Sequence, residues 1–162
     1  MRIMSAMNDI DDLAARLDEA ALSRRPMPQL GLRDRSPEVA AYAIQERLIE
    51  RRLARGERLI GVKLGFTSRA KMAQMGVHDV IWGRLTDRMI ADDGGTLDLT
   101  RFIHPRIEPE IAFLVGQRLA GHVSTFEAQA AIAAIAPAIE VIDSRYADFK
   151  FDLQDVIADN CS

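Results

Sequence analysis

Arg106-Ile107-Glu108-Pro109-Glu110-Ile111-Ala112-Phe113 is the stretch on which the reading of this chain turns. Side chains alternate faces along a strand, so Glu108 and Glu110 point one way while Ile107, Ile111 and Phe113 point the other. Two like charges side by side are unfavourable unless something positive sits between them. A further carboxylate, Glu140, lies in Ala138-Ile139-Glu140-Val141-Ile142-Asp143-Ser144-Arg145, a β-rich run where an unpaired charge is costly. Carboxylates converging from two strands offer an oxygen-rich site for a hard cation, Mg²⁺ or Mn²⁺. The spacing alone leaves another reading open, in which Glu108 and Glu110 are solvated residues on an edge strand marked by Pro109 and Glu140 is unrelated.

Working outward, Ile10, Leu13, Ala14, Leu17 and Ala21 follow helical spacing and predict a helix over residues 8–22, with Asn8 or Asp9 as its N-cap. Pro26, Pro28 and Gly31 predict a loop. Ser36-Pro37-Glu38 opens a second helix: Ser caps, Pro fits the first helical position, and Glu favours the positive end of the dipole. That helix is expected to run to Ala54 and stop at Gly56. Ile60, Val62, Leu64 and Phe66 then alternate with Gly61, Lys63 and Gly65, a strand pattern. Thr67 or Ser68 is expected to cap a short helix through Met75, closed by Gly76. Asp92-Asp93-Gly94-Gly95 reads as a turn. Ser124 or Thr125 opens an alanine-rich helix expected to reach Ala136, where Pro137 stops it before a strand over residues 138–142.

Helices followed by strands mixed with short helices predict an α+β chain, divided into a helical region over residues 1–57 and a β-rich region over 58–162. Near the end, Leu153, Val156 and Ile157 suit a helix entering a core, with no termination signal after them, so the segment reads as cut inside a domain. The expectation is that this apolar face lacks cover. Residues 1–162 alone would then be marginally stable, aggregation-prone and inactive.

At 162 residues the chain can bury a core of its own. Its 48% apolar and 28% charged residues are an ordinary globular balance, and a net charge of −3 argues against a nucleic-acid surface. One cysteine, Cys161, excludes an internal disulfide and fits a reducing compartment such as the cytoplasm. No secretory h-region and no apolar run long enough for a bilayer is present, so no membrane partner is expected.

Lys63 lies between Gly61-Val62 and Leu64-Gly65. Glycines nearby allow a ligand or backbone to approach, so the lysine could anchor an anion or exchange a proton; the alternative is a surface lysine on a half-exposed strand. His104, before Pro105, reads either as a residue near the metal region or as structural. His78 and His122 carry little signal, and Trp82 and Tyr146 read as packing residues. Zinc spacing, a nucleophile elbow and a phosphate loop are all absent.

The motifs G-V-K-L-G-F-T-S at 61–68, A-K-M-A-Q-M-G-V at 70–77, H-P-R-I-E-P-E-I-A at 104–112 and I-E-V-I-D-S-R-Y at 139–146 form an ordered series. F-K-F-D-L at 149–153 and A-D-N at 158–160 complete it. From about Tyr42 onward the chain resembles the fumarylacetoacetate hydrolase superfamily, in its branch of 2-oxopent-4-enoate hydratases and 4-oxalocrotonate decarboxylases. The resemblance implies that Glu108, Glu110 and Glu140 are Mg²⁺ or Mn²⁺ ligands and that Lys63 is the active-site lysine. It implies a β-rich catalytic fold whose later strands complete the pocket beyond the segment matched here. The decarboxylases are the closer members, because hydratases usually carry an acidic residue near Ile81, where this chain has the apolar Val80-Ile81-Trp82-Gly83. An apolar wall suits loss of CO₂ better than delivery of water. The implied reaction is decarboxylation of a 2-oxo dicarboxylate, 2-oxohex-3-enedioate, to 2-hydroxypenta-2,4-dienoate, a step in aromatic meta-cleavage catabolism. Hydration of the dienoate by a sister enzyme is the alternative, as is a non-catalytic partner subunit. The implied assembly is a homo-oligomer or a complex with a homologous hydratase.

Overall fold

In the computed structural model, which describes residues 2–32, 38–75 and 77–162, the chain opens with two packed helices, α1 (Arg2–Ser23) and α2 (Glu38–Ala54). Ala14 and Leu17 of α1 and Ala41 and Ile44 of α2 are buried, as an apolar stripe at helical spacing requires. Asp18, nearly inaccessible, ties the pair together. Its carboxylate accepts from both terminal nitrogens of Arg55, at 2.7 and 2.8 Å, and from Arg51 at 3.0 Å. Helix α1 starts before the expected N-cap, so Asn8 and Asp9 lie inside it. The expected cap at Ser36 and Pro37 and the stop at Gly76 fall outside the described residues. Gly56 does end α2, in the left-handed region at φ 91°.

Strand β1 (Leu59–Gly65) follows, then helix α3 (Arg69–Met75), opened by Ser68 whose hydroxyl accepts the Lys71 N–H. Strand β2 (Ile81–Thr86) pairs antiparallel with β1 and puts Gly83 opposite Lys63. From Ile81 onward, the apolar run Val80-Ile81-Trp82-Gly83 lies in this strand. Gly83 and Arg84 interrupt its apolar alternation, yet Ile81, 3% exposed, sits in the core. Trp82 packs as expected, stacked on Tyr42 with ring centroids 5.1 Å apart and with the Arg84 guanidinium 4.8 Å above it.

A later helix, α5, closes the same unit. Spanning Leu153–Ala158, it is capped by Asp152, which accepts the Asp155 N–H, and it packs on α2 and β2. Val156 and Ile157 are buried there and Leu153 packs against them. The expectation that this apolar face goes uncovered is therefore corrected: α2 covers it. The Gln45 side-chain amide stitches the two, donating to the Ile157 carbonyl at 3.0 Å and to the Trp82 carbonyl at 2.9 Å. Tyr146 is fully buried and donates to the Asp155 carbonyl at 3.0 Å; burial pushes its phenol far up. Ile157→Ala should cost about 2–5 kcal/mol, the range for emptying a buried aliphatic site. A urea titration showing an unchanged midpoint would mean α5 is not packed in this way.

Asp155 gives the unit an unusual pH response. Burial, helped by the charge of Asp152, pushes its carboxyl up to about 6, although the Leu30 N–H donates to it. A carboxyl whose folded pKa exceeds its unfolded value favours the fold fully below that unfolded value, about 3.9. The contribution is lost as pH rises through about 6. Asp155→Asn keeps an oxygen for Leu30 but removes the ionisation. It should stabilise the protein by about 2–3 kcal/mol at neutral pH and not in mild acid near the unfolded carboxylate pKa. Urea curves at both pH values check this, and a variant less stable at neutral pH than in acid, relative to its parent, would refute it.

The chain divides into two compact units, one made of Met1–His104 with Asp143–Ser162 and the other of Pro105–Ile142. In the second unit β3 (Arg106–Val115) pairs antiparallel with β4 (Ile132–Ile142), and helix α4 (Thr125–Ala130) joins them. Of the two expected openers, Ser124 is the N-cap of α4, and it closes a reciprocal capping box with Glu127. The helix expected to reach Ala136 ends at Ala130, and Pro137 stands within β4, opposite Ile111. Pairing with β3 overrides the helix preference of the alanines. The ladder tolerates Pro109 and Pro137 because alternate residues turn their N–H groups away from the partner, and both prolines fall in the same alternate set. Among the described residues no helix is long and apolar enough to cross a membrane.

Candidate metal centre and active-site lysine

The β3–β4 register sets Glu108 directly opposite Glu140 and Glu110 opposite Ala138, diagonal to Glu140. The period of two then places all three glutamates on one face, and Ile107, Pro109, Ile111 and Phe113 with Val141, Ile139 and Ile135 on the other. One carboxylate oxygen from each glutamate lies within 4.8 Å of the others. Oxygens gathered this closely can share one divalent cation at ligand distances of about 2.0–2.6 Å once their side chains close on it. Glu108 and Glu140 are half-buried and Glu110 is exposed. Opposed like charges on neighbouring strands are destabilising by themselves. The donor set is all oxygen, which suits a hard cation and not zinc.

Lys63 belongs to the other unit. It is half-buried, and its ammonium donates to the carbonyl of Cys161 at 3.0 Å and to that of Ser162 at 2.6 Å. The residues after α5 approach it through an unusual turn: Asn160, Cys161 and Ser162 all have positive φ, at 56°, 63° and 75°. The Asn160 carboxamide grips β2, accepting the Arg84 N–H at 2.7 Å and donating to the Arg84 carbonyl at 2.9 Å. Next to it, Asp159 is fully buried and ion-paired with Arg145, whose backbone N–H also donates to it at 3.0 Å. These contacts went unread in the sequence. The A-D-N signature and the glycine at 83 were the available signals, but their partners are remote in the chain.

The Asp143 carboxylate accepts the backbone N–H groups of Ile103 and His104, at 3.1 and 2.8 Å, and the imidazole lies edge-on to Phe149 at 5.4 Å. His104 belongs to the same unit as Lys63.

No protein-family model matches the chain. It is 58% identical over 153 residues to a 4-oxalocrotonate decarboxylase of Pseudomonas sp., an alignment covering 94% of this chain and 60% of that protein. It is 40% identical over 156 residues to a 2-hydroxypent-2,4-dienoate hydratase of Pseudomonas putida, covering 94% of this chain and 70% of the relative. A solved 4-oxalocrotonate decarboxylase from Pseudomonas putida G7, complexed with magnesium and adipate, superposes with a TM-score of 0.90 at 39% identity. That match covers 96% of this chain and 60% of the solved one. The chain belongs to the family of α+β proteins formed by the 2-oxopent-4-enoate hydratases and 4-oxalocrotonate decarboxylases. It spans 60% of the length of the decarboxylase of Pseudomonas sp. that it matches.

Proposed function

We propose that the protein acts in divalent-metal-dependent decarboxylation of 2-oxohex-3-enedioate to 2-hydroxypenta-2,4-dienoate. Glu108, Glu110 and Glu140 would hold Mg²⁺ or Mn²⁺, and the observation that carries this reading is the convergence of their oxygens on one face of the β3–β4 ribbon. When bound, such an ion supplies Lewis-acid withdrawal of electrons from a 2-oxo acid. In the overall conversion the bond to the remote carboxylate breaks, CO₂ leaves, and the electron pair runs through the C3–C4 double bond to the 2-oxo oxygen. That oxygen then needs a proton. Lys63 carries donors of the right kind and would orient the substrate or supply this proton. The similarity to decarboxylases at 58% identity, against 40% for the hydratase, favours loss of CO₂ over addition of water.

The test follows the fate of the substrate with Mg²⁺ present. Release of CO₂ with appearance of the dienoate supports the proposal. Conversion of 2-hydroxypenta-2,4-dienoate to a 4-hydroxy-2-oxo acid, without CO₂ from the dicarboxylate, would replace it with the hydratase reading that the hydratase relative favours. Neither conversion would reject both.

A further inference from the structure

We propose that Asn160 is a positioning residue for Lys63, rather than a residue that merely ends α5. One edge of β2 pairs with β1, and Arg84 stands opposite Val62. At its other edge, both main-chain groups of Arg84 are taken by the one carboxamide of Asn160, at 2.7 and 2.9 Å. A carboxamide carries a donor and an acceptor side by side, as a peptide does, so Asn160 replaces a neighbouring strand at this single position. Aspartate lacks the donor, and alanine lacks both groups.

The adjacent residue shows how closely the two segments meet. A Cβ at Gly83 would come within 2.4 Å of the Asn160 carbonyl oxygen, so only glycine fits opposite Lys63. Asn160 itself adopts φ 56°, a conformation that asparagine tolerates better than most residues. Its left-handed turn swings the next carbonyl, that of Cys161, to 3.0 Å from the Lys63 ammonium. A chain of contacts therefore runs from Asn160 to β2, across the ladder to β1, and from the Asn160 turn back to the lysine head. The inference rests on the reading of Lys63 as the residue that acts on substrate, but its test uses no turnover.

Lys63, Lys71 and Lys150 are the lysines of the chain, and Lys71 and Lys150 are exposed. Limited acetylation of the folded protein, with each lysine quantified by mass spectrometry, reads the accessibility of Lys63 against its two references. In the parent protein Lys63 should react more slowly than Lys150. Asn160→Ala should raise the Lys63-to-Lys150 ratio about fivefold or more, as expected when a charged group loses well-placed carbonyl acceptors. Asn160→Asp, which keeps the acceptor for Arg84, should raise it less. An unchanged ratio in a folded variant overturns the proposal, even if thermal stability falls. Hydrogen exchange in the unaltered protein decides the matter without any substitution. A protected Arg84 amide supports the clasp, and exchange at the rate of an open strand edge overturns it. A Lys63 variant with undiminished turnover would instead reject the role of Lys63, leaving these readings intact.

Discussion

Glu140→Gln is expected to lower Mn²⁺ affinity about 100-fold or more, at or beyond the upper range seen when only a supporting residue around a metal is removed. The expectation is large because Glu140 faces Glu108 directly across the ladder and Glu110 diagonally, so it is the member through which the set closes. Removing it takes away both an oxygen donor and a negative charge. Mn²⁺ titration followed by thermal unfolding measures the loss. Unchanged affinity would return the three glutamates to the reading of solvated strand residues.

Lys63→Met should lower turnover about 10²–10⁴-fold, the range for losing a positioned proton-transfer group. Mn²⁺ affinity should stay near that of the parent, because the cluster of oxygen donors is Glu108, Glu110 and Glu140 and Lys63 acts on the substrate instead of the ion. Methionine keeps much of the aliphatic stem that lysine buries and drops only the ammonium. Turnover within experimental error of the parent would make Lys63 a strand residue whose only role is to meet the carbonyls after α5.

How much of this was legible depended on the range of the interaction. The alternation through Glu108, Glu110 and Ile111 is local, and it placed the glutamates on one face without any knowledge of β4. The alternation around Lys63 placed β1 equally well. The alanine run before Pro137 carried a helical signal that was true of its own propensity and false in context, since the partner strand that overrode it lies more than a turn away in sequence. Strand β2 was hidden because its inward-facing Gly83 has no side chain to mark the period, being kept bare by Asn160. The cover over Leu153, Val156 and Ile157 was missed for the same kind of reason: Gln45 and Ile157 are 112 residues apart. The clasp between Asn160 and Arg84 spans 76 residues and leaves no periodic trace at all.

The two prolines of the β3–β4 ribbon have a consequence for how this segment can change over time. Slipping β4 by a single residue against β3 would turn every side chain of one strand over. Glu140 would leave the company of Glu108 and Glu110, and Pro137 would swing its donor-less nitrogen toward the neighbouring strand. A slipped ribbon would thus be penalised at the same moment that it lost its carboxylate triad. Single-residue insertions or deletions between Glu108 and Glu140 that alter this register should be purged from descendants of the chain, whereas exchanges among Ile107, Ile111 and Ile139 should drift freely. The prolines serve as a checksum on the reading frame of the metal site.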